Sequence, residues 1–176
     1  MFSKESAEIQ FNLLVKEALD YAIFVIDIDG TILSWNAGAE RIKQFTANEV
    51  LGQNFEILYR DEDRKQGRPM DNIKKTISAD RFEEQWWRQK KDGSIFWADV
   101  IMNAIYSASG ELIGVAKIVH DISVKKNLED ELASAKKSAD EARSLKSIFI
   151  ANMSHENFTK IWLPRPYRSS HRAHDE

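Results

Sequence analysis

The chain has 176 residues, 43% hydrophobic and 30% charged, which favours one folded domain with helical extensions and argues against wholesale disorder. A net charge of −3 gives no general attraction to nucleic acid or anionic membranes, and the absence of cysteine excludes disulfides, thiolate nucleophiles and cysteine-ligated zinc. The start of the chain has no signal-peptide pattern, and the apolar runs are far shorter than the roughly 20 residues of a membrane span. We therefore expect a cytoplasmic protein without a membrane span.

The first predicted elements are a helix and a hairpin. Apolar residues recur at helical spacing between Ile9 and Ala18, which predicts an amphipathic helix within residues 1–19. The β-branched run at residues 22–28 predicts a strand, and Asp29-Gly30 predicts a tight turn. Residues 31–35 are expected to pair back on this strand as a second one.

The middle of the chain is predicted to be mainly helical and irregular. Asn36 is expected to cap a short helix over residues 37–44, because its side chain can accept hydrogen bonds from free backbone N–H groups. Two further short helices are expected at residues 48–52 and 70–78. The charged run at residues 60–65 is predicted to be a solvated face.

Three strands are predicted next, at residues 82–90, 94–107 and 111–122, joined by two-residue turns at Asp92-Gly93 and Ser109-Gly110. The middle strand alternates strictly, with Phe96, Ala98, Val100 and Met102 on one face and Ile95, Trp97, Asp99 and Ile101 on the other. This order predicts an α+β fold in which helices cover one face of a five-stranded antiparallel sheet.

From residue 123 the pattern becomes helical and predicts a coiled coil. Residues at alternating four- and three-residue steps form a heptad seam, with Glu and Lys beside it. The heptad seam consists of Leu128, Leu132, Ala135, Ala139, Ala142, Lys146, Phe149 and Met153. The alternative is a monomeric amphipathic helix that packs back on the sheet.

Residues 18–126 resemble a PAS domain. The resemblance rests on the order and spacing of Ile26-Asp-Ile-Asp-Gly-Thr-Ile-Leu-Ser-Trp-Asn36, Ala39-Glu-Arg, Glu49-Val-Leu-Gly, Arg88-Gln-Lys-Lys-Asp-Gly-Ser94 and Gly114-Val-Ala-Lys-Ile-Val-His-Asp-Ile-Ser123. It implies a PAS fold, a sheet with helices that form a cup for a small molecule. It also implies that Asp121, Ile122 and Ser123, where the last strand becomes a helix, form the output junction.

A second resemblance concerns Phe149-Ile-Ala-Asn-Met-Ser-His-Glu156, which is similar to the H-box of sensor histidine kinases. By this resemblance His155 is the phosphoacceptor and Glu156 its acid–base helper. The chemistry requires an exposed imidazole nitrogen that attacks the γ-phosphate of ATP, and a neighbouring carboxylate can hydrogen-bond the ring and raise its nucleophilicity.

The similarity to kinases ends after Glu156. The segment 157–176 contains Pro164 and Pro166 and has no amphipathic period, so we expect an aberrant, disordered tail. A one-nucleotide frame shift over residues 162–175 permits an amphipathic sequence and is one hypothesis for its origin. Because no ATP-binding core follows the H-box, the chain alone is expected to be inactive as an enzyme.

The resemblance leaves the ligand of the domain open. A cysteinyl-flavin adduct is excluded because the chain has no cysteine, and residues 64–71 hold no histidine where haem-binding PAS domains carry their ligand. His120 is expected to be a structural residue rather than an iron ligand, and Met70 is a poorer alternative for that role, so haem is not expected. Non-covalent flavin, a small organic ligand and a packed core without a ligand remain open, and Trp86, Trp87 and Trp97 either line a ligand cup or belong to the core. No metal site is predicted.

The predicted organisation has four parts: an N-terminal helix (1–19), a PAS domain (20–122), a coiled-coil signalling helix ending in the H-box (123–156), and the tail (157–176). This organisation predicts the sensing and dimerisation module of a two-component histidine kinase. The expected partners are a second copy, through the coiled coil, and a response regulator in the parent kinase, without nucleic acid. The alternative is a free-standing PAS interaction module that dimerises with or titrates a full-length kinase.

Overall fold

A computed structural model describes the backbone of residues 4–161 and the side chains of residues 6–153. The chain forms two units, Met1–Asn127 and Leu128–Glu176. The strands are β1 Tyr21–Ile26, β2 Arg81–Gln89, β3 Ile95–Tyr106 and β4 Leu112–Asp121. The helices are α1 Lys4–Glu17, α2 Ala37–Lys43, α3 Ala47–Val50, a 3₁₀ turn Phe55–Leu58, α4 Asp61–Lys65, α5 Arg68–Ala79 and α6 Ser123–Ile161. None of the helices in the described ranges combines the length and apolar composition that a bilayer span requires.

The four strands form one antiparallel sheet in the order β1-β4-β3-β2. The prediction of five strands is wrong for the described residues, because residues 31–35 make only isolated bridges instead of a strand. The reason is that side chains occupy the free edge of β1. Ser34 Oγ accepts a hydrogen bond from Val25 N (3.0 Å) and Asn36 Oδ1 accepts one from Ile23 N (2.9 Å). These are the N–H groups that a continuous fifth strand would have used.

The two turns between β2, β3 and β4 enclose three residues rather than the predicted two. Lys90 N donates to Ser94 O (2.8 Å), and Ser107 N donates to Glu111 O (2.8 Å). The third loop residue is a glycine in each turn, with φ of 85° or 83°, a conformation that other residues adopt at a cost. The glycine therefore closes a three-residue hairpin loop, a common alternative to the two-residue turn.

The core lies between one face of the sheet and the helices that cover it. The predicted alternation of β3 is confirmed, since its buried members are Phe96, Ala98, Val100 and Met102. Phe24 and Val119 face the same core from β1 and β4, and Phe55 and Ile73 reach it from the 3₁₀ turn and α5. Period-two alternation in the strands thus builds one side of the core.

The charged run at residues 60–65 is more than the predicted solvated face. It contains α4, and its Asp63 is buried, where the carboxylate accepts hydrogen bonds from Arg60 Nε (2.9 Å) and Trp86 Nε1 (3.0 Å). Burial would raise the pKa of Asp63, but the hydrogen bonds from Arg60 and Trp86 outweigh it and hold the pKa below its ordinary value. The run therefore anchors α4 to β2.

Helix α6 begins in the first unit and runs through the described part of the second. The heptad-seam residues in this helix are solvent-exposed in the single chain, with Leu128 60% and Leu132 71% exposed. The helix continues to Ile161, past the predicted end at residue 156, and residues 162–176 lie outside the described residues. His155 and Glu156 belong to α6, whereas their side chains lie outside the described ones.

Candidate ligand-binding interior and signal junction

Three basic side chains lie in the interior of the domain and are named here the interior cation cluster: Lys43, Arg88 and Lys117. They are 1%, 1% and 2% exposed. Arg88 is opposite Phe96 in the β2–β3 register, and Lys117 is opposite Met102 in the β3–β4 register. Because those partners face the core, period-two alternation directs both basic side chains into it. Lys43 enters from the last residue of α2.

One carboxylate, that of Glu84, forms an ion pair with a member of this cluster. Glu84 on β2 forms an ion pair with Arg88 and another with Arg68 (2.7 Å), and it accepts a hydrogen bond from Asn72 Nδ2 (2.6 Å). Burial would raise the pKa of Glu84, but the Arg88 and Arg68 guanidiniums outweigh it and hold that pKa below its ordinary value. Glu84 is therefore ionised at neutral pH and already shared between two arginines.

Lys117 and Lys43 take part in no ion pair among the described residues. Lys117 Nζ donates to Tyr59 Oη (3.1 Å) and lies 4.6 Å from the ring centroid of Phe55. Burial lowers the pKa of Lys117, although the Tyr59 hydroxyl opposes it. Burial, followed by the charges of Arg88 and Lys117, lowers the pKa of Lys43 well below its ordinary value. The interior is consequently rich in basic side chains and hydrogen-bond donors, and burial disfavours the charged form of both lysines.

Two buried polar atoms beside Glu84 have no hydrogen-bond partner in the structure, Asn72 Oδ1 and Arg68 Nε. Asn72 is fully enclosed, whereas Arg68 is partly exposed and stacks its guanidinium 3.8 Å from the ring centroid of Trp86. Buried polar atoms are rarely left unpaired in native structures. This corner of the interior therefore has unused capacity for hydrogen bonds.

The three tryptophans, predicted either to line a ligand cup or to belong to the core, lie on different faces of the sheet. Trp87 and Trp97 pair across β2 and β3, edge to face at 5.1 Å, on the sheet face opposite the core, so neither lines an interior cup. Trp86 is half-buried on the core face of β2, opposite Ala98, and its Nε1 donates to Asp63 Oδ1. His120 stacks on Tyr21 at 4.7 Å, and Met70 packs against the core.

Sequence reasoning missed the interior cation cluster. A signal was present for one member, because Lys117 lies between Val115 and Val119 in a strand whose alternate residues are apolar. Its position therefore indicates an inward-facing lysine.

The structure brings together the three residues predicted as the signal junction, Asp121, Ile122 and Ser123. Ile122 N donates to Trp97 O (2.9 Å), and Trp97 N donates to Ser123 Oγ (2.9 Å). Asp121 Oδ1 accepts from Ser123 N (3.1 Å), so the carboxylate lies at the first residue of α6. These bonds tie the start of α6 to the central strand β3.

Lys90 connects this junction with the interior. Its Nζ forms an ion pair with Asp121 (3.3 Å) and lies 5.1 Å from the ring centroid of Phe96. Lys43 Nζ lies 4.8 Å from the same ring. Burial would raise the pKa of Asp121, but its hydrogen bonds with Ser123 and the Lys90 ammonium hold that pKa below its ordinary value. Phe96 thus contacts one cation of the interior and one of the junction.

The PAS domain family matches residues 20–124, more than half of the chain. Two-component system protein A of Emericella nidulans is 38% identical over 146 residues, which are 83% of this chain and 21% of that protein. Cell-division control histidine kinase PdhS of Brucella anthropi is 28% identical over 159 residues, 84% of this chain and 14% of that protein. The chain therefore spans about a fifth or less of the length of these relatives.

A crystal structure of the PAS domain of a protein from Colwellia psychrerythraea superposes with a TM-score of 0.61 at 23% identity, and the match covers 66% of this chain and 98% of that one. This likeness concerns the fold. Together with the match over residues 20–124, it confirms the predicted PAS fold. The chain belongs to the PAS domain family, and its curated relatives are two-component and histidine kinase proteins.

Proposed function

We propose that this chain is the sensing and dimerisation module of a two-component histidine kinase, in which a change in the PAS interior passes through α6 toward the phosphoacceptor His155. The observation that carries the proposal is the junction itself. Asp121, Ile122 and Ser123 bind the start of α6 to β3, and Lys90 links Asp121 to the Phe96 ring beside the interior cations. A displacement of Phe96 or Lys90 would therefore change the hydrogen bonding at the first turn of α6.

The heptad seam supports dimerisation through α6. Leu128, Leu132, Phe149 and Met153 lie at seam positions and are between 48% and 71% exposed in the single chain. A helix that exposes large apolar side chains along one stripe gains stability when a second helix buries that stripe. A second copy of the same helix, in parallel, presents the matching stripe.

The phosphoacceptor role rests on the H-box resemblance and on the helical backbone at residue 155. In this role a ring nitrogen of His155 attacks the γ-phosphorus of ATP bound to a catalytic domain, and Glu156 hydrogen-bonds the ring during the attack. The resulting phosphoryl group would pass to a response regulator in the parent kinase.

The oligomeric state tests the first part of the proposal. Wild-type protein at tens of micromolar is expected to sediment as a dimer, and the double variant Leu128→Glu, Leu132→Glu as a monomer. Ala133→Glu with Ser144→Glu is the matched control, because it adds the same charge on the opposite side of α6 and should remain dimeric. A monomeric wild type, or equal dissociation of the control, contradicts the coiled coil.

Phosphorylation in trans tests the second part. The catalytic domain of a related histidine kinase, supplied with ATP and Mg²⁺, is expected to place acid-labile phosphate on the wild type and not on His155→Ala. Without the added domain we expect no labelling. Labelling that survives His155→Ala would show that another residue accepts the phosphate. A chain that inhibits a full-length relative by dimerising with it, and is never labelled, would favour the free-standing interaction module.

A further inference from the structure

The turn between β2 and β3 is fixed on the end of α2 and on α3. Lys91 N donates to the carbonyl of Lys43, the last residue of α2 (3.0 Å), and Lys91 Nζ forms an ion pair with Glu49 in α3. Asp92 N donates to Gln44 Oε1, the side chain that follows α2 (3.3 Å). The β2–β3 turn therefore holds two helices that lie far from it along the chain.

The neighbouring residue of the same turn contacts the signal junction. Lys90 Nζ forms the ion pair with Asp121 (3.3 Å), and the Asp121 carboxylate accepts a hydrogen bond from Ser123 N at the first residue of α6 (3.1 Å). Two adjacent lysines thus contact different parts of the domain, since Lys91 contacts α2 and α3 whereas Lys90 contacts the start of α6.

Hydrogen bonds within the β2–β3 turn make it rigid. Asp92 Oδ1 accepts from Ser94 N (2.9 Å) and from Ser94 Oγ (2.6 Å). Lys90 N donates to Ser94 O (2.8 Å), and Gly93 N donates to Lys90 O (3.0 Å). An aspartate that binds the backbone two residues ahead stabilises a turn locally. A displacement of Lys91 is therefore passed on to Lys90 rather than absorbed between them.

We propose that Lys91 is a positioning residue of the sensor, which acts through Lys90 and makes the β2–β3 turn the link between α2, α3 and the start of α6. The inference rests on the proposed sensing function and adds a route by which movement of the helices reaches the junction. A shift of α2 or α3 would move Lys91, and Lys90 would then change its contact with Asp121.

Lys43 connects this route with the interior. Its side chain is 1% exposed and its Nζ lies 4.8 Å from the ring centroid of Phe96, whereas its carbonyl accepts the hydrogen bond from Lys91 N. A change in the interior that displaces Lys43 would therefore reach the β2–β3 turn through the backbone of α2.

The ion pair of Lys91 with Glu49 is suited to positioning more than to stabilising. The two side chains are 46% and 41% exposed, and exposed ion pairs contribute little to stability. Glu49 also accepts a hydrogen bond from Thr46 N (2.9 Å) in the capping box of α3, so Lys91 binds this helix at its cap. The hydrogen bonds from Lys91 and Thr46 lower the pKa of Glu49 to about 2, which keeps its carboxylate ionised at neutral pH.

Amide hydrogen exchange of Lys126 in the purified full chain tests the proposal, because Lys126 N donates to Ile122 O in the first turn of α6 (2.9 Å). Lys91→Met should speed this exchange roughly twofold to fivefold, the range that the loss of an exposed ion pair allows. Lys91→Arg, which keeps the charge on a long side chain, should restore slow exchange. Lys65→Met, at an exposed position on α4, is the matched control and should exchange as the wild type does.

A double-mutant cycle separates positioning from a local structural role. Glu49→Gln is expected to speed the exchange of Lys126 roughly twofold to fivefold in the wild-type background, and by less than about 1.5-fold in the Asp121→Ala background, because the route already ends there. Circular dichroism of each variant establishes that it is folded. Equal acceleration in both backgrounds, or unchanged exchange of Lys126 in Lys91→Met, would overturn the proposal.

The exchange measurement is independent of the tests of the proposed function. Sedimentation reports dimerisation, and labelling of His155 reports the phosphoacceptor, whereas exchange of Lys126 reports only the hold of the junction on α6. Unchanged exchange in a chain that dimerises and is labelled would overturn the role of Lys91 alone. The expected exchange in a chain that fails both other tests would support that role and contradict the proposed function.

Discussion

Asn36 joins three elements through its side chain, and its removal is the sharpest test of how the domain is assembled. Oδ1 accepts hydrogen bonds from Ile23 N in β1 (2.9 Å) and from Ala39 N in α2 (2.8 Å). Nδ2 donates to the carbonyls of Val15 in α1 (2.9 Å) and Tyr21 in β1 (3.1 Å). The residue is 7% exposed, so water cannot easily replace these bonds. Asn36→Ala removes these four bonds together with a longer one from Nδ2 to Ala18 O (3.4 Å), a carbonyl that keeps its bond from Tyr21 N.

The magnitude follows from the four groups left without a partner. Loss of the helix cap at Ala39 costs about 1 kcal/mol. Each of the other three backbone groups loses a net contribution of about 1 kcal/mol. We therefore expect Asn36→Ala to lower the free energy of unfolding by about 4 kcal/mol, a large share of the stability of an ordinary domain.

Asn36→Asp separates the contribution of the accepted hydrogen bonds from that of the donated ones. It keeps the two acceptor bonds to Ile23 and Ala39, but it removes the donor and places a negative charge beside the carbonyl oxygens of Val15 and Tyr21. It should cost about 2 kcal/mol and release α1 selectively, because the donated bonds are those that hold the end of α1. The helix cap on α2 should persist.

Urea denaturation followed by circular dichroism measures the free energies, and amide hydrogen exchange measures the protection of α1 and α2. Asn48→Ala, at an exposed position in α3, is the control and should change stability by less than about 0.5 kcal/mol. If Asn36→Ala lies within about 1 kcal/mol of this control, the side-chain bonds do not organise the fold. Equal loss of protection in α1 and α2 for Asn36→Asp would refute the division into donor and acceptor roles.

Three other outcomes are expected. Burial lowers the pKa of Lys43 in the folded protein below the ordinary lysine value of 10.5. The folded protein therefore loses stability as the pH falls from 10.5 toward the folded-state pKa. Lys43→Met should therefore stabilise the domain by about 1–4 kcal/mol at pH 7, with a gain that shrinks as pH approaches 10.5, measured by urea denaturation. A gain independent of pH would contradict this. Gly38→Ala should cost about 3 kcal/mol, because its Cβ would lie 2.1 Å from Tyr21 O, whereas Gly110→Ala, in open space with φ of 83°, should cost about 1 kcal/mol in thermal melts. Equal costs would be inconsistent with the close approach. Asp121→Ala should speed amide exchange in the first turn of α6 and leave β3 protected, and unchanged exchange would show that the Asp121 bonds do not hold the junction.

Local patterns in the sequence predicted much of the fold. The alternation of β3, the cap at Asn36 and the helix that begins at Ser123 each depend on neighbours a few residues away, so their signals survive in the sequence alone. The three residues that the resemblance predicts as the signal junction meet at the start of α6, and their role in signal output stays a prediction. For these features the residue types and their spacing were sufficient.

Contacts between distant segments decided the rest. Residues 31–35 have the composition of a strand, yet the Ser34 and Asn36 side chains take the N–H groups of β1 and end the pairing. Asp63 belongs to a charged run that the sequence predicts to be solvent-exposed. It is buried because Trp86, on β2, donates a hydrogen bond from Nε1 to its carboxylate.

The interior cation cluster shows the same division. The alternation of β4 places Lys117 inside, but only the tertiary structure brings it to Tyr59, 58 residues away along the chain. The grouping of three buried basic side chains likewise becomes apparent only when α2, β2 and β4 come together, because the composition of an interior depends on which distant side chains share it. Sequence periodicity determines which face a residue occupies, whereas the packing of the elements determines which partner it meets there.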